Sequence, residues 1–433
     1  MPVFGKKFPM DVLPLSHHHP IGHYRDGVND LVKAARSEGQ AGIKNWGADW
    51  LEELCKQTME KENAFVYASY ERAINAIEKG IQEKSGTPDP SESGLIQHGQ
   101  LLLASAHGFE NWDAFTKFVA RAPDQPENGF AFESAVDAIV DGDLDTLQSL
   151  LSQFPALVEA RSARMHQAML LHYIAANGVE DFRQRTPDNA IEIARHLLES
   201  GAEVDALANT YGGGKRQTTM NLLVSSAHPA AAGLMVPLVE ALLDFGAAIN
   251  GLEDDGSPLM TALSAGYLEA AEALTRKGAR IDNIVAAAAL GLVDLVDKFL
   301  NNEKEVKQGQ ALVSASTFGQ TQTVAFMLDR GVEAGSLDRD DMTGLHWATA
   351  RGHMDVVRLL LDRGAPLEVK NKWGGTVLGS TVFFAHSNPM AQVDFVTVIE
   401  TLLSAGAQVS AAKYPTGLAT VDAVLHRYRD AAE

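Results

Sequence analysis

The chain has 433 residues, 45% of them hydrophobic and 21% charged, the balance of a folded globular protein and not of a disordered one. With 36 Lys and Arg against 56 Asp and Glu, the formal net charge is −20, which repels a phosphate backbone and argues against nucleic acid as a partner. A single cysteine, Cys55, allows neither an internal disulfide nor a thiolate zinc site, and no run approaches 18 apolar residues, so no membrane span is expected.

The N-terminal stretch MPVFGKKFPMDVLPLSHHHPIGHYRD is broken by prolines and lacks the continuous apolar core of a signal peptide; the expected location is cytoplasmic. His17, His18, His19 and His23 offer imidazoles to a divalent metal, but no carboxylate or thiolate joins them at a recognised interval, and no metal site is expected. Helical periodicity follows in DGVNDLVKAARSEG, WGADWLEELCKQTMEK, AFVYASYERAINAIEKGIQEK and GLIQHGQLLLASAHGF. The breakers SGTPDPSESG at Ser85 and RAPDQPENG at Arg121 punctuate them. Residues 1–125 therefore read as a small helical N-terminal domain.

From about residue 130 the chain repeats itself. Phe132–Ser162, FESAVDAIVDGDLDTLQSLLSQFPALVEARS, reads as a first, atypical unit. In the next, GVEDFRQRTPDN (Gly178–Asn189) splits the two helices by about eleven extra residues, a length that is functional or disordered more often than neutral. Phe182, Arg183 and Arg185 are of the types enriched at interface hot spots; equally, the arginines can pair with the acidic chain's own carboxylates, and both readings stay open. TYGGGKRQTT, Thr210–Thr219, has the glycines and lysine of a phosphate cradle without the G-x-x-x-x-G-K-[ST] spacing or a preceding strand. It reads as an enlarged finger joining two units, with Lys215 and Arg216 placed to grip an acidic group on a partner. Two insertions, SSAHPAAAG at Ser225 and FAHSNPMAQ at Phe384, each put a proline where a first helix must stop.

The exits LLESGAEV, LLDFGAAI, LTRKGARI, MLDRGVEA, LLDRGAPL and LLSAGAQV recur at Gly201, Gly246, Gly278, Gly331, Gly364 and Gly406, where a positive φ is expected. Gly331 and Gly364 are 33 residues apart, and Gly246 and Gly278 are 32 apart. The stretch between Gly278 and Gly331 fits one further unit without this exit.

The clearest unit is Thr343–Gly375, TGLHWATARGHMDVVRLLLDRGAPLEVKNKWGG. With its neighbours it resembles the ankyrin repeats, whose pattern runs roughly T-P-L-H-x-A-A-x-x-G-H and then L-L-x-x-G-A-x-V-N. Thr343, Leu345, His346, Ala348, Gly352 and His353 match, while Gly344 stands where the family has proline. SPLMTALSAG at Ser257 keeps the proline and loses the histidine; MLLHYIAANG at Met169 does the reverse. Upstream, AHGFENWDAFTKFVARA resembles, through His107, Gly108, Phe109, Trp112 and Phe115, a short helical element that precedes such arrays in many bacterial proteins. A bacterial source is what that likeness implies, with a packing role expected for Trp112.

The resemblance implies an all-α ankyrin-repeat solenoid over residues 130–417, about seven or eight helix-turn-helix repeats with β-hairpin loops, closed by a capping helix over 418–433. It further implies a non-catalytic scaffold or regulator that binds a protein partner on the hairpin tips and first helices. By position, the partner-binding residues are Arg339, Asp340, Met342, Ala350 and Arg351, then Lys372 and Trp373, and Thr210 and Tyr211 at the finger. His172 and His346 are implied to order their turns. No G-x-S-x-G, H-E-x-x-H or C-x-x-C occurs, and the paired acids in LEDDGS and LDRDDM suit exposed turns, so neither catalysis nor a cofactor is expected. Competing readings are an enzyme with a site between the N-terminal domain and the array, and a self-associating structural protein.

Overall fold

The computed structural model describes residues 20–39, 41–42, 45–46, 49, 92–121, 130–180, 183–210, 216–302, 304–387, 393–412 and 414–430. His17–His19, Cys55 and nearly all of the second and third expected N-terminal helices lie outside them. The chain divides into two compact units, Met1–Asp254 and Asp255–Glu433.

In the first unit, α1 (Ile21–Glu38), α2 (Glu92–Ala106) and α3 (Trp112–Arg121) enclose an aromatic core. Tyr24, Val28, Leu103, Phe109, Phe115 and Val119 fill it. His107 stacks on Phe115 at 5.3 Å and Trp112 lies 5.4 Å from the same ring, so the residues of the upstream element are core packing. Burial pushes the Tyr24 hydroxyl up to about 12. Gly108 turns the chain with φ +79°, and its carbonyl accepts from Met165 N at 2.8 Å, tying this core to the segment that leads into the second repeat.

The repeats of this unit are α4 (Phe130–Asp141) with α5 (Leu144–Gln153), and a 3-10 helix, Leu170–Ala175, with α6 (Ala190–Glu199). A third pairs α7 (Thr219–Leu223) with α9 (Met235–Asp244), separated by the short proline-bearing α8 (Ala227–Ala231). Side chains of Asp143 and Thr218 cap α5 and α7 by accepting from Thr146 N and Asn221 N.

The second unit stacks α10 (Ser257–Ala265) with α11 (Leu268–Arg276), α12 (Ile284–Ala289) with α13 (Val293–Leu300), and α14 (Glu305–Thr317) with α15 (Thr321–Asp329). It continues with α16 (Gly344–Arg351) and α17 (Met354–Asp362), α18 (Val377–Ser387) and α19 (Phe395–Ser404), and closes on α20 (Ala419–Asp430). Gly278–Gly331 holds two repeats, the further unit that lacks an exit glycine and the unit that ends at Gly331. The chain passes from α13 to α14 through residues 301–304, with no exit glycine to mark the boundary. Helices of eight residues or so are too short to persist alone in water, and their stability comes from a shared core. Ile284, Ala287, Leu312, Leu345, Ala348 and Leu378 of the first helices meet Val296, Met327, Val356, Leu360 and Ile399 of the second, at about 1.5–3 kcal/mol for each fully buried large aliphatic side chain. At the far end α20 buries Val421, Val424 and Leu425 and turns His426 and Arg427 to solvent.

All six exit glycines adopt φ between +76° and +104°, where a side chain is strained. Gly344 has a different reason: a Cβ there would stand 2.6 Å from Ser316 Oγ and 3.0 Å from Ser316 Cβ, so the family's proline has no room. The β-hairpins reduce, among the described residues, to two isolated antiparallel bridges, Ala208 with Gln217 and Leu337 with Thr343.

Candidate functional site

Two repeats fix their loop through a histidine at the start of the first helix, His346 and His172. Thr343 N donates to His346 Nδ1 at 3.1 Å, and His346 Nε2 faces the Gly375 carbonyl of the next loop at 3.4 Å. That pattern requires the neutral ring protonated on Nε2, and burial, which lowers its pKa, keeps it neutral. His172 repeats the arrangement, with Met169 N to Nδ1 at 3.1 Å and Nε2 to Ala206 O at 3.0 Å. Both histidines therefore order their turns and reach the following loop.

Two such loops form a pair of tips. Asp338 accepts from the backbone of Asp340 at 2.8 Å and Met342 at 3.0 Å, and its other oxygen takes Trp347 Nε1 at 2.7 Å. Asn371 accepts from Trp373 N at 3.0 Å and Gly375 N at 2.9 Å. The tips are tied together by Lys372 N to Asp340 O at 3.1 Å and by the ion pair of Lys372 with the Asp340 carboxylate. The same ammonium stands 4.5 Å over the Trp373 ring, and Trp373 remains 64% exposed. Arg339 is exposed on the other tip.

The first helices continue this surface. Trp347 lies 6.3 Å from Phe384, and Phe383, 62% exposed, lies 5.9 Å from Phe384. These aromatics were not among the residues expected at the site. The signal for them is the run VFF in α18, because three consecutive apolar residues cannot all share one buried helical stripe. Arg351, at the end of α16, sits 5.9 Å over Phe318.

Several expected residues do not reach the surface. Met342 is 2% exposed, drawn inward as the loop closes on Asp338, and Ala350 packs in the core as part of the buried stripe of α16. Thr210 is 1% exposed. Tyr211 and Lys215 lie outside the described residues, and exposed Arg216 donates back to Leu207 O at 2.9 Å.

Phe182 also lies outside the described residues, but Arg183 is a correction of another kind. It is buried in an ionic cluster, pairing with Glu133 at 2.7 Å, Glu180 at 2.8 Å and Asp137 at 3.0 Å. Arg164 joins Glu133 at 3.1 Å and Glu180 at 3.4 Å, while Tyr173 donates to Glu180 at 2.9 Å and His166 Nε2 faces the same oxygen at 2.9 Å. Arg185 pairs with Asp141 at 2.8 Å. The insertion's arginines are thus spent on the protein's own carboxylates. Against the burial that would raise it, the Arg164 and Arg183 guanidiniums hold the Glu180 carboxyl well below the usual carboxylate range, and burial drives the Tyr173 hydroxyl far up. Neither is poised to exchange a proton near neutrality. Glu133 and Arg164 were missed by sequence reasoning; the signal was a charge set in the apolar face FAFESAV.

Among the described residues no group of His, Cys, Asp and Glu converges as a metal site, and no helix is long and apolar enough to cross a membrane.

Residues 284–371, from α12 to the start of the second tip, match the family model described as Ankyrin repeats (3 copies). Ankyrin repeat and SOCS box protein 16 of Homo sapiens is 30% identical over 241 residues, 50% of this chain and 50% of that protein. Serine/threonine-protein kinase 12 of Arabidopsis thaliana is 30% identical over 104 residues, 24% of this chain and 21% of that protein. The chain thus spans half or less of the length of these relatives. The crystal structure of the human ASB11 ankyrin repeat domain aligns over 63% of this chain and 98% of its own, with 23% identity and a TM-score of 0.34. All three are eukaryotic, and they lend no support to a bacterial source. The fold is an all-α array of ankyrin repeats.

Proposed function

We propose that the chain is a non-catalytic protein-binding scaffold or regulator, and that it takes its partner on the tips at residues 338–342 and 371–375 and on the adjoining faces of α16 and α18. Ankyrin repeats generally serve as protein–protein interaction modules, and the observation that carries the reading here is Trp373. A large aromatic left 64% exposed is unfavourable in water unless a partner covers it. Its backbone is already fixed by the Asn371 carboxamide and its ring is braced by Lys372, so little further ordering is required on binding. Phe383 and Trp347 extend the apolar area and Arg339 supplies a rim charge. This is the anatomy of an interface with an aromatic anchor.

The test is capture of partners by the intact chain, identified by mass spectrometry and then measured with the purified partner. Trp373→Ala is expected to leave thermal unfolding unchanged and to weaken the partner at least about tenfold, or 1.4 kcal/mol. Equal affinity in the variant would refute the placement.

A further inference from the structure

The arginines of the second unit that meet a carboxylate across repeats do so at the surface: Arg330 with Asp297, Arg363 with Asp329 at 2.8 Å, and Arg427 with Glu400. Arg351 differs. Among the described residues no carboxylate pairs with it, although the chain carries 56 acidic residues against 36 basic ones. One acceptor is in reach, the Gly266 carbonyl at 3.5 Å, at the outer limit of a hydrogen bond.

The surroundings are shaped for the side chain. A Cβ on Gly266 would collide with the guanidinium, and Gly266 itself has φ +88°, so two independent requirements keep a glycine there. Phe318 forms one wall, its ring 5.9 Å away, and Tyr267 forms another. Burial lowers the Arg351 pKa and raises that of the Tyr267 hydroxyl, and the two act on each other. His353 is nearby and is committed through Nε2 to Thr317 O at 3.0 Å. A guanidinium has five N–H donors, and among the described residues most of these meet no acceptor. A cation partly withdrawn from water without a counter-charge is costly, and a well-placed anion recovers that cost.

Resting on the binding role proposed above, we infer that Arg351 and the Tyr267 hydroxyl form a receiving site for an aspartate or glutamate side chain of the bound protein. A planar carboxylate accepts two parallel N–H bonds from the guanidinium fork and has lone pairs left for the tyrosine. One cation and one hydroxyl suit a monoanion, and the net charge of −20 disfavours a phosphate dianion at long range.

The experiment needs no identified partner. The full chain, labelled with 15N-arginine, is titrated with sodium acetate, with sodium chloride and inorganic phosphate at matched ionic strength as separate arms. The Arg351 Nε–H resonance is assigned by its loss in Arg351→Gln. Acetate is expected to move it saturably. Tyr267→Phe weakens that response several-fold, and Arg351→Lys, followed by protection of the chain against thermal unfolding by acetate, loses the response. Trp373→Ala leaves the acetate response intact, so a failed partner reading and a failed carboxylate site are told apart. Equal shifts with chloride, tighter binding of phosphate than acetate, or an unchanged response in Tyr267→Phe would each overturn the inference.

Discussion

Replacing Glu180 by glutamine alters one charge in a wholly buried ionic cluster. The side chain is wholly enclosed and is contacted by Tyr173 and His166 at 2.9 Å, Arg183 at 2.8 Å and Arg164 at 3.4 Å. In the wild type two guanidiniums face two buried carboxylates, with the half-exposed Asp137 at the edge. Glutamine preserves the volume and the acceptor for Tyr173, but it leaves two cations sharing Glu133 and turns an amide N–H₂ toward one of them. Removing one partner of a buried ion pair costs about 3–5 kcal/mol, and with no solvent at the site no discount for screening applies. Because stacked repeats need not unfold in a single step, the readout is local: amide hydrogen exchange of peptides within residues 130–199. A loss of 3 kcal/mol accelerates exchange through local opening by roughly a hundredfold. The double variant Glu180→Gln with Arg183→Gln restores the charge balance and is expected to recover part of the protection. Acceleration below about tenfold, or strictly additive effects in the double variant, would refute the account of the cluster.

His172 is held neutral, its pKa lowered by burial to about 4. A depressed folded value means that the unfolded chain takes up the proton first, so this stability is present above the unfolded pKa of about 6.5 and is lost as pH falls toward 4. By pH 4.5 the loss reaches about 2–3 kcal/mol, measurable as faster exchange of the Leu170–Ala175 helix, and His172→Gln should remove that part of the pH dependence while costing stability at pH 7. Gly344→Pro, which restores the family pattern, is expected to destabilise α16 by about 1–3 kcal/mol through overpacking against Ser316; adding Ser316→Gly should return part of it, and a stabilised single variant would contradict the steric reading.

What the sequence revealed was whatever a residue's own backbone demands. The six exit glycines and the paired turn histidines stood where their local pattern placed them, because φ sign and turn hydrogen bonding are decided within a few residues. A boundary without such a marker, between Leu300 and Glu305, showed only through the length of the interval from Gly278 to Gly331. Side-chain destinations were harder. Met342 and Thr210 sit in the same kind of loop as Trp373, yet they point inward, and only the neighbouring repeat decides which loop residue is swallowed. Arg183 reads as a surface hot spot until Glu133, 50 residues earlier, is seen to wait beneath it. Phe383 stayed unnoticed because an apolar helix residue is assumed to be core until its neighbours Thr381 and Val382 are seen to occupy the buried side.

Residues 301–304 join α13 to α14, where residues 330–343 join α15 to α16. The link between these two repeats is thus about ten residues shorter than the one that carries Arg339, too short to raise a tip of that kind. Grafting a loop of ordinary length at this junction is expected to leave the buried core of the second unit intact, since the aliphatic side chains that build it lie mainly on the helices and not in this link.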